Sequence, residues 1–288
     1  MTKKNIQIII RAFALATVFA QVSCGDVAED ERWSLPQEVV PTKNVLVEDF
    51  TGQRCVNCPE ATEAIEELQQ RVSSRYGGNH IVAVAIHGGS MAITDDYPMG
   101  LATAEGNAMH NALEIDAWPA GMVDRTGGIC RYTEWTGRAI SRMAVVPDVE
   151  ITISGAKALE GTPQAIQVTV MPTTAALPTT EHRLFVWLTE NNIKALQFMP
   201  DGSRNSDYIH NHVFRVSLTD LEGKLLPLFN SSSTEAGNPV SETFSFSPKS
   251  SWNVLQMNVV AFVTNENGVC QVVEVPLWGC SAESHTGS

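Results

Sequence analysis

The sequence predicts an α/β plus all-β protein: a layered α/β domain followed by an antiparallel β-sandwich of immunoglobulin-like size. Three observations predict this. Between Asn44 and about Met143, short fully apolar runs alternate with helical periodicity, the pattern of strands buried on both faces beneath helices. After Pro147, short runs rich in Val, Ile, Thr and Phe follow one another, broken by Pro, Gly, Asn and Ser, which is how a sandwich reads. The chain has 288 residues, 43% hydrophobic and 18% charged. At about 150 residues per domain that suffices for two cores, and it excludes wholesale disorder or a multi-span membrane protein.

The amino terminus reads as an address. Lys3 and Lys4 precede an apolar stretch whose charge-free part, Ala12 to Ala20, is too short to cross a bilayer, which takes about 20 residues. Residues 1–23 therefore form a signal peptide. Ser23-Cys24 resembles the site at which bacterial lipoproteins are processed, making Cys24 the expected lipidation site, although Gln21 stands where a Leu-like residue is usual. Cleavage at a plain signal-peptidase site is the alternative. Residues 24–43 form a flexible tether, with Asp26, Glu29, Asp30 and Glu31 clustered near its start. Acidic residues after a lipidated cysteine resemble a surface-export signal of Bacteroidetes lipoproteins, and a spacer without sorting role reads equally well. With 19 Lys and Arg against 32 Asp and Glu, the net charge is -13. A polyanion would be repelled, so nucleic acid is excluded as a partner.

The first domain is expected over 44–146. Val45-Leu46-Val47 signals a buried strand. Ala61, Ala64, Ile65, Leu68 and Val72 mark one face of a helix, and Ile81 to Ile86 is a second apolar strand. A weaker helical stretch from Ala102 to Leu113, a strand at Gly121-Met122-Val123 and a helix from Tyr132 to Met143 complete it. The sandwich, 147–278, is expected to use strands at 149–154, 165–170, 183–188, 212–218, 242–246, 254–264 and 269–275. A polar tail, 279–288, follows.

Cys55-Val56-Asn57-Cys58 lies between the first strand and the first strong helix, with Pro59 next. Free N–H groups and the positive end of the helix dipole stabilise a thiolate there. Cys55 is then the attacking thiol, expected to be exposed, and Cys58 the resolving one. By position, Asp49 and Trp118-Pro119 resemble the buried acid and the cis-proline turn of thioredoxin-like sites. The resemblance assigns Asp49 to proton transfer for the resolving thiol and the Pro119 turn to pairing with a substrate strand. Trp118 and Arg54 are the substrate-binding candidates, and Arg54 would also favour the Cys55 thiolate.

The segment from Val47 to Pro59, together with Trp118 to Arg125 and Tyr208 to Arg215, resembles the signature of the 28 kDa outer-membrane-protein family of Bacteroidetes lipoproteins. That resemblance implies a lipid-anchored protein of the outer membrane, facing the cell surface or the periplasm, with a thioredoxin-like domain ahead of a β-sandwich. It supplies no settled reaction. Arg54 in place of Trp, and Val-Asn in place of Gly-Pro, depart from typical thioredoxins.

Two functions follow. One is a thiol-disulfide oxidoreductase using Cys55, Cys58, Asp49 and Pro119 on cysteine-containing envelope or surface proteins, with no cofactor. The other is a protein- or glycan-binding module in which the pair is a structural disulfide and the stretch from Leu196 to Asn211 is a recognition loop. No metal site is expected: the pair has no second CxxC or spaced histidine partner, and copper held with His87 is the weaker alternative. His210 and His212, read as alternating on one strand, are expected to face one side and pack the sandwich, with metal binding by that spacing as the weaker alternative. Cys130, Cys270 and Cys280 admit several pairings.

Overall fold

A computed structural model describes residues 40–94, 99–155, 164–173, 181–227 and 238–277. The expected signal peptide, the Cys24 lipidation site, most of the tether, Cys280 and the polar tail lie outside them.

The first half runs β1 (Val45–Thr51), α1 (Cys58–Tyr76), β2 (Ile81–His87), α2 (Ala104–Ala112), β3 (Ala120–Val123), β4 (Thr126–Cys130) and α3 (Trp135–Met143). β1 and β2 are parallel, with Thr51 opposite His87, and β3 lies antiparallel on the other side of β1. Every residue of β1 is buried, because both faces are covered. Val45, Val47, Ile81 and Ala83 pack on Ala61, Ile65, Leu68 and Val72 of α1 and on Trp135 and Met143 of α3. Leu46, Phe50, Val82 and Ile86, pointing the other way by the period of two, share a core with Met109 of α2. α1 starts with Pro59 in its first turn, where a missing N–H costs no hydrogen bond.

The second half contributes β5 (Val149–Ser154), β6 (Gln164–Pro172), β7 (His182–Glu190), β8 (Ile193–Phe198), β9 (Arg204–His210), β10 (Val213–Ser217), β11 (Lys224–Leu226), β12 (Val240–Phe246), β13 (Met257–Asn265) and β14 (Gly268–Pro276). The three-stranded sheet β12-β6-β5 shares a core with the large sheet. Ile151, Ile153, Val168 and Val170 pack with Leu184, Val186, Val259 and Val263. The protein is thus a mixed α and β chain, mostly strand, with several sheets.

The large sheet continues through the boundary expected at 146/147. Its order is β14-β13-β7-β10-β2-β1-β3-β4, with β11 on the edge of β7. The junction is Val213 beside Ala85, where the Ala85 N–H donates to the His212 carbonyl at 2.8 Å. Side chains explain the continuity. Phe185, Trp187, Phe214 and Phe262 from the second half fill the same core as Leu46 and Phe50. The Arg125 guanidinium lies 4.3 Å from the Phe185 ring centre and 4.9 Å from that of Phe262. It also makes a two-pronged bond to Glu48, Nε to Oε2 at 3.0 Å and Nη2 to Oε1 at 2.8 Å. This cation–π and ion-pair arrangement gives a carboxylate only 1% exposed a charged, hydrogen-bonded partner.

Four strands, β4, β8, β9 and β11, and the placement of two histidines differ from expectation. β4 and β11 are additional strands. The stretch from Leu196 to Asn211, expected as a loop, is mostly the β8–β9 hairpin. His210 and His212 do not alternate along one strand: His210 ends β9, and His212 takes a positive φ of 56° in the turn into β10, so the chain reverses between them.

Candidate functional site

β1 ends at Thr51, and Gly52 turns the chain toward the cysteines. A Cβ on Gly52 would lie 2.5 Å from the backbone carbon of Met91, so only glycine admits that close approach. Arg54 N–H then bonds the Met91 carbonyl at 2.8 Å and Cys55 N–H the Gly52 carbonyl at 3.0 Å. Cys55 and Cys58 are joined by a disulfide with Cα atoms 5.4 Å apart, at the N-terminus of α1, where a reduced pair would feel the helix dipole.

Beneath Cys58 lies a cavity of about 20 Å³ lined by Asp49, Thr51, Cys58, Thr62, His87, Gln197, Tyr208 and His210 among others, room for roughly one water. Its floor follows from register. Asp49 and Thr51 stand beside Ala85 and His87, all on the strand faces turned toward α1. Asp49 is 1% exposed, and its Oδ1 has no hydrogen-bond partner among the described residues. Burial pushes its carboxyl up to about 8, because the charged form has lost its water. Burial also holds His87 well below the usual imidazole value, with His210 adding to the effect, and holds His210 down to about 4. Both imidazoles are therefore neutral, their ring centres 5.4 Å apart.

The β8–β9 hairpin closes the far side. Gln197 Nε2 donates to the Cys55 carbonyl at 2.9 Å, and Phe198 N–H to the Gln53 carbonyl at 2.8 Å. Gln53, fully buried, donates to the carbonyls of Met99 and Leu196 and accepts from Leu101 N–H, stitching three segments together. Under this cover Cys55 is only 4% exposed and Cys58 2%. The surface position expected for Cys55 is thus occupied by the hairpin, while Arg54, Val56 and Asn57 around it are exposed.

The remaining candidates are dispersed. Trp118-Pro119 is cis. Pro119 precedes Ala120, which pairs with Phe50, so the turn lies at the end of the sheet from which the cysteine loop departs. Trp118 is half-buried and stacks on His110, ring centres 6.0 Å apart. Arg54 directs Nη1 to the Ala92 carbonyl at 3.1 Å. Cys130 and Cys270 are buried free thiols. Sequence reasoning missed Gln53, Gln197 and Tyr208 as site residues and weighed His210 as packing or, with His212, as a metal ligand, not as a neighbour of the cysteines. The alternation of Ile193, Ala195 and Gln197 was the one available signal for the hairpin.

With this geometry in place, comparisons with known proteins place the chain. The family model for outer membrane protein Omp28 matches residues 106–277, more than half of the sequence. The chain belongs to the Omp28 family. HBP35 of Porphyromonas gingivalis is similar in structure, at a TM-score of 0.64 and 18% identity, over 83% of this chain and 77% of that one; at that identity the likeness is one of fold. A domain of the outer membrane lipoprotein Omp28 from Porphyromonas gingivalis aligns at a TM-score of 0.31 and 16% identity, over 46% of this chain and 91% of that one. No curated protein matches the sequence. Omp28 proteins are outer membrane proteins, and among the described residues of this one no helix is long and apolar enough to cross a membrane.

Proposed function

We propose that this Omp28-family protein is a thiol-disulfide oxidoreductase of the envelope, held on a membrane leaflet by lipid at Cys24, with a thioredoxin-like first half and an immunoglobulin-like sandwich after it. Its partners are cysteine-containing envelope or surface proteins, and no cofactor takes part. One observation carries the reading: a fully buried carboxyl, Asp49, raised to about 8, lines one cavity with the inner cysteine. A proton acceptor whose pKa lies near that of a thiol suits thiol deprotonation.

In the reduced protein the Cys55 thiolate attacks a client disulfide, forming a mixed disulfide and releasing one client thiolate. Ionised Asp49 takes the Cys58 proton. The Cys58 thiolate attacks Cys55 Sγ, the second client thiolate leaves, and the pair is oxidised as the client bond is reduced. Run backwards, the same steps oxidise a client. The Pro119 turn, placed at the same end of the sheet by the pairing of Ala120 with Phe50, supports a strand-pairing site for the client backbone.

A disulfide-bearing protein such as insulin tests this. The reduced wild-type chain accelerates insulin reduction, and Cys55→Ser abolishes the acceleration while its circular dichroism is retained. Equal rates for the two would refute the reading. The second reading, a binding module with a structural disulfide, is favoured by the 4% and 2% exposures of the pair. It predicts a pair that resists dithiothreitol until the protein unfolds.

A further inference from the structure

Away from the disulfide, a second group of chemistry-bearing side chains meets at one end of the sandwich. Asp148, just before β5, comes from the three-stranded sheet. His182 opens β7 and Cys270 lies on β14, both in the large sheet. One ligand atom from each, a carboxylate oxygen, an imidazole nitrogen and Sγ, lies within 4.8 Å of the other two. His182 is 1% exposed and Cys270 7%, while Asp148 is half-buried. Chance ion clusters on protein surfaces are carboxylate-rich and wet. This one mixes sulfur, nitrogen and oxygen inside a core, where Cys270 packs with Val149, Leu226 and Val273.

We propose that Asp148, His182 and Cys270 bind a zinc ion that fastens the two sheets of the sandwich together. Tetrahedral zinc bonds of about 2.0–2.3 Å to S, N and O put ligand atoms about 3.3–3.8 Å apart, so a spread of up to 4.8 Å closes by about 1 Å on binding. Three protein ligands leave a fourth position for water. The surroundings are those of a metal ligand set. Asn265 Nδ2 donates to Asp148 Oδ2 at 3.0 Å, fixing the carboxylate as an outer-shell partner does and leaving Oδ1 for the ion. Burial and then the repulsion of Asp148 raise the Cys270 thiol to about 12, against smaller lowering by Lys43 and Arg142. A divalent cation reverses that repulsion, since the thiol is deprotonated when it coordinates. Binding releases the thiol proton, so affinity falls as the pH is lowered.

The test uses the full chain with Cys55–Cys58 kept oxidised, stripped with chelator and titrated with Co²⁺. The expected result is one equivalent bound, a thiolate-to-cobalt charge-transfer band in the near ultraviolet, and its loss when Zn²⁺ is added. Cys270→Ser removes the band, Asn265→Ala weakens binding by about 10–100-fold, and Cys130→Ser changes nothing. Asp148→Asn, at a half-exposed position, keeps the fold and also weakens binding, which covers the case in which Cys270→Ser does not fold. No cobalt bound by wild type, or a charge-transfer band that survives in Cys270→Ser or Asp148→Asn at unchanged affinity, would overturn the assignment.

Discussion

Replacing Asp49 by Asn should make the protein more stable and less reactive, by amounts the structure fixes. The native carboxyl is buried and raised to about 8, whereas an unfolded chain ionises it at 3.8. Below pH 3.8 both states hold the proton. As pH rises from there to about 8, the unfolded state releases a proton that the native state keeps, so stability falls by about 1.4 kcal/mol per unit. That amounts to about 4 kcal/mol lost by neutral pH. Asn has nearly the same shape and cannot ionise, so its slope over this window vanishes. Urea unfolding of the oxidised proteins, followed by fluorescence at pH 4, 5.5 and 7, should show the advantage of Asp49→Asn growing by about 4 kcal/mol across the series. The same variant, lacking a proton acceptor for Cys58, should slow thiol exchange at pH 8 by about 100-fold or more. If the two stability profiles run parallel between pH 4 and 7, the carboxyl is not desolvated as described and its role in exchange loses its basis.

Gln197→Ala removes the side-chain bond to the Cys55 carbonyl, worth about 1 kcal/mol; reduction of the disulfide by dithiothreitol, followed by mass-detected alkylation, should be about fivefold faster. Arg125→Ala strips the partner from Glu48, 1% exposed, and should cost about 3–5 kcal/mol in urea unfolding at pH 7. Gly121→Ala places a Cβ 2.4 Å from Trp135 Cζ2 and should cost about 1–3 kcal/mol, with a change in tryptophan emission; emission and stability equal to wild type would show that the strand shifts freely.

What the sequence made legible was local. The apolar runs of β1 and β2, the Ala61–Val72 stripe of α1 and the alternation of β5 and β6 announce themselves because each carries its own period. Cys55 and Cys58 were legible because spacing and the following proline place them at a helix start, and Asp49 because it lies close by on the preceding strand. The hairpin was not legible. β9, Arg204 to His210, is mostly exposed and polar, so its sequence reads as loop. Its place over the disulfide depends on Gln197 meeting Cys55 across 142 residues, a contact no local pattern encodes. The same holds for the single sheet. β10 joins β2 through one parallel pair, and two halves that each look self-contained in sequence share the aromatic core around Arg125.

The hairpin also separates the two readings of the cysteine pair by magnitude. Its base is pinned: Asn192 N–H donates to Asn211 Oδ1 at 3.0 Å and His212 N–H to Asn191 Oδ1 at 2.7 Å. Its far part is held over the cysteine loop by the bonds from Gln197, Phe198 and Gln53. At about 1 kcal/mol each, those bonds sum to about 3 kcal/mol, to which the burial of Ala195 on β8 adds, so an opening about the base exposes the disulfide in at most about one molecule in a hundred. Global unfolding costs about 5–15 kcal/mol, many orders of magnitude rarer. A disulfide reduced more slowly than an exposed peptide by about 100-fold or somewhat more, at a rate insensitive to mild urea, is therefore one reached by lifting the hairpin and available to clients. A pair whose reduction tracks the urea dependence of unfolding is sealed in the scaffold, and the oxidoreductase reading falls with it.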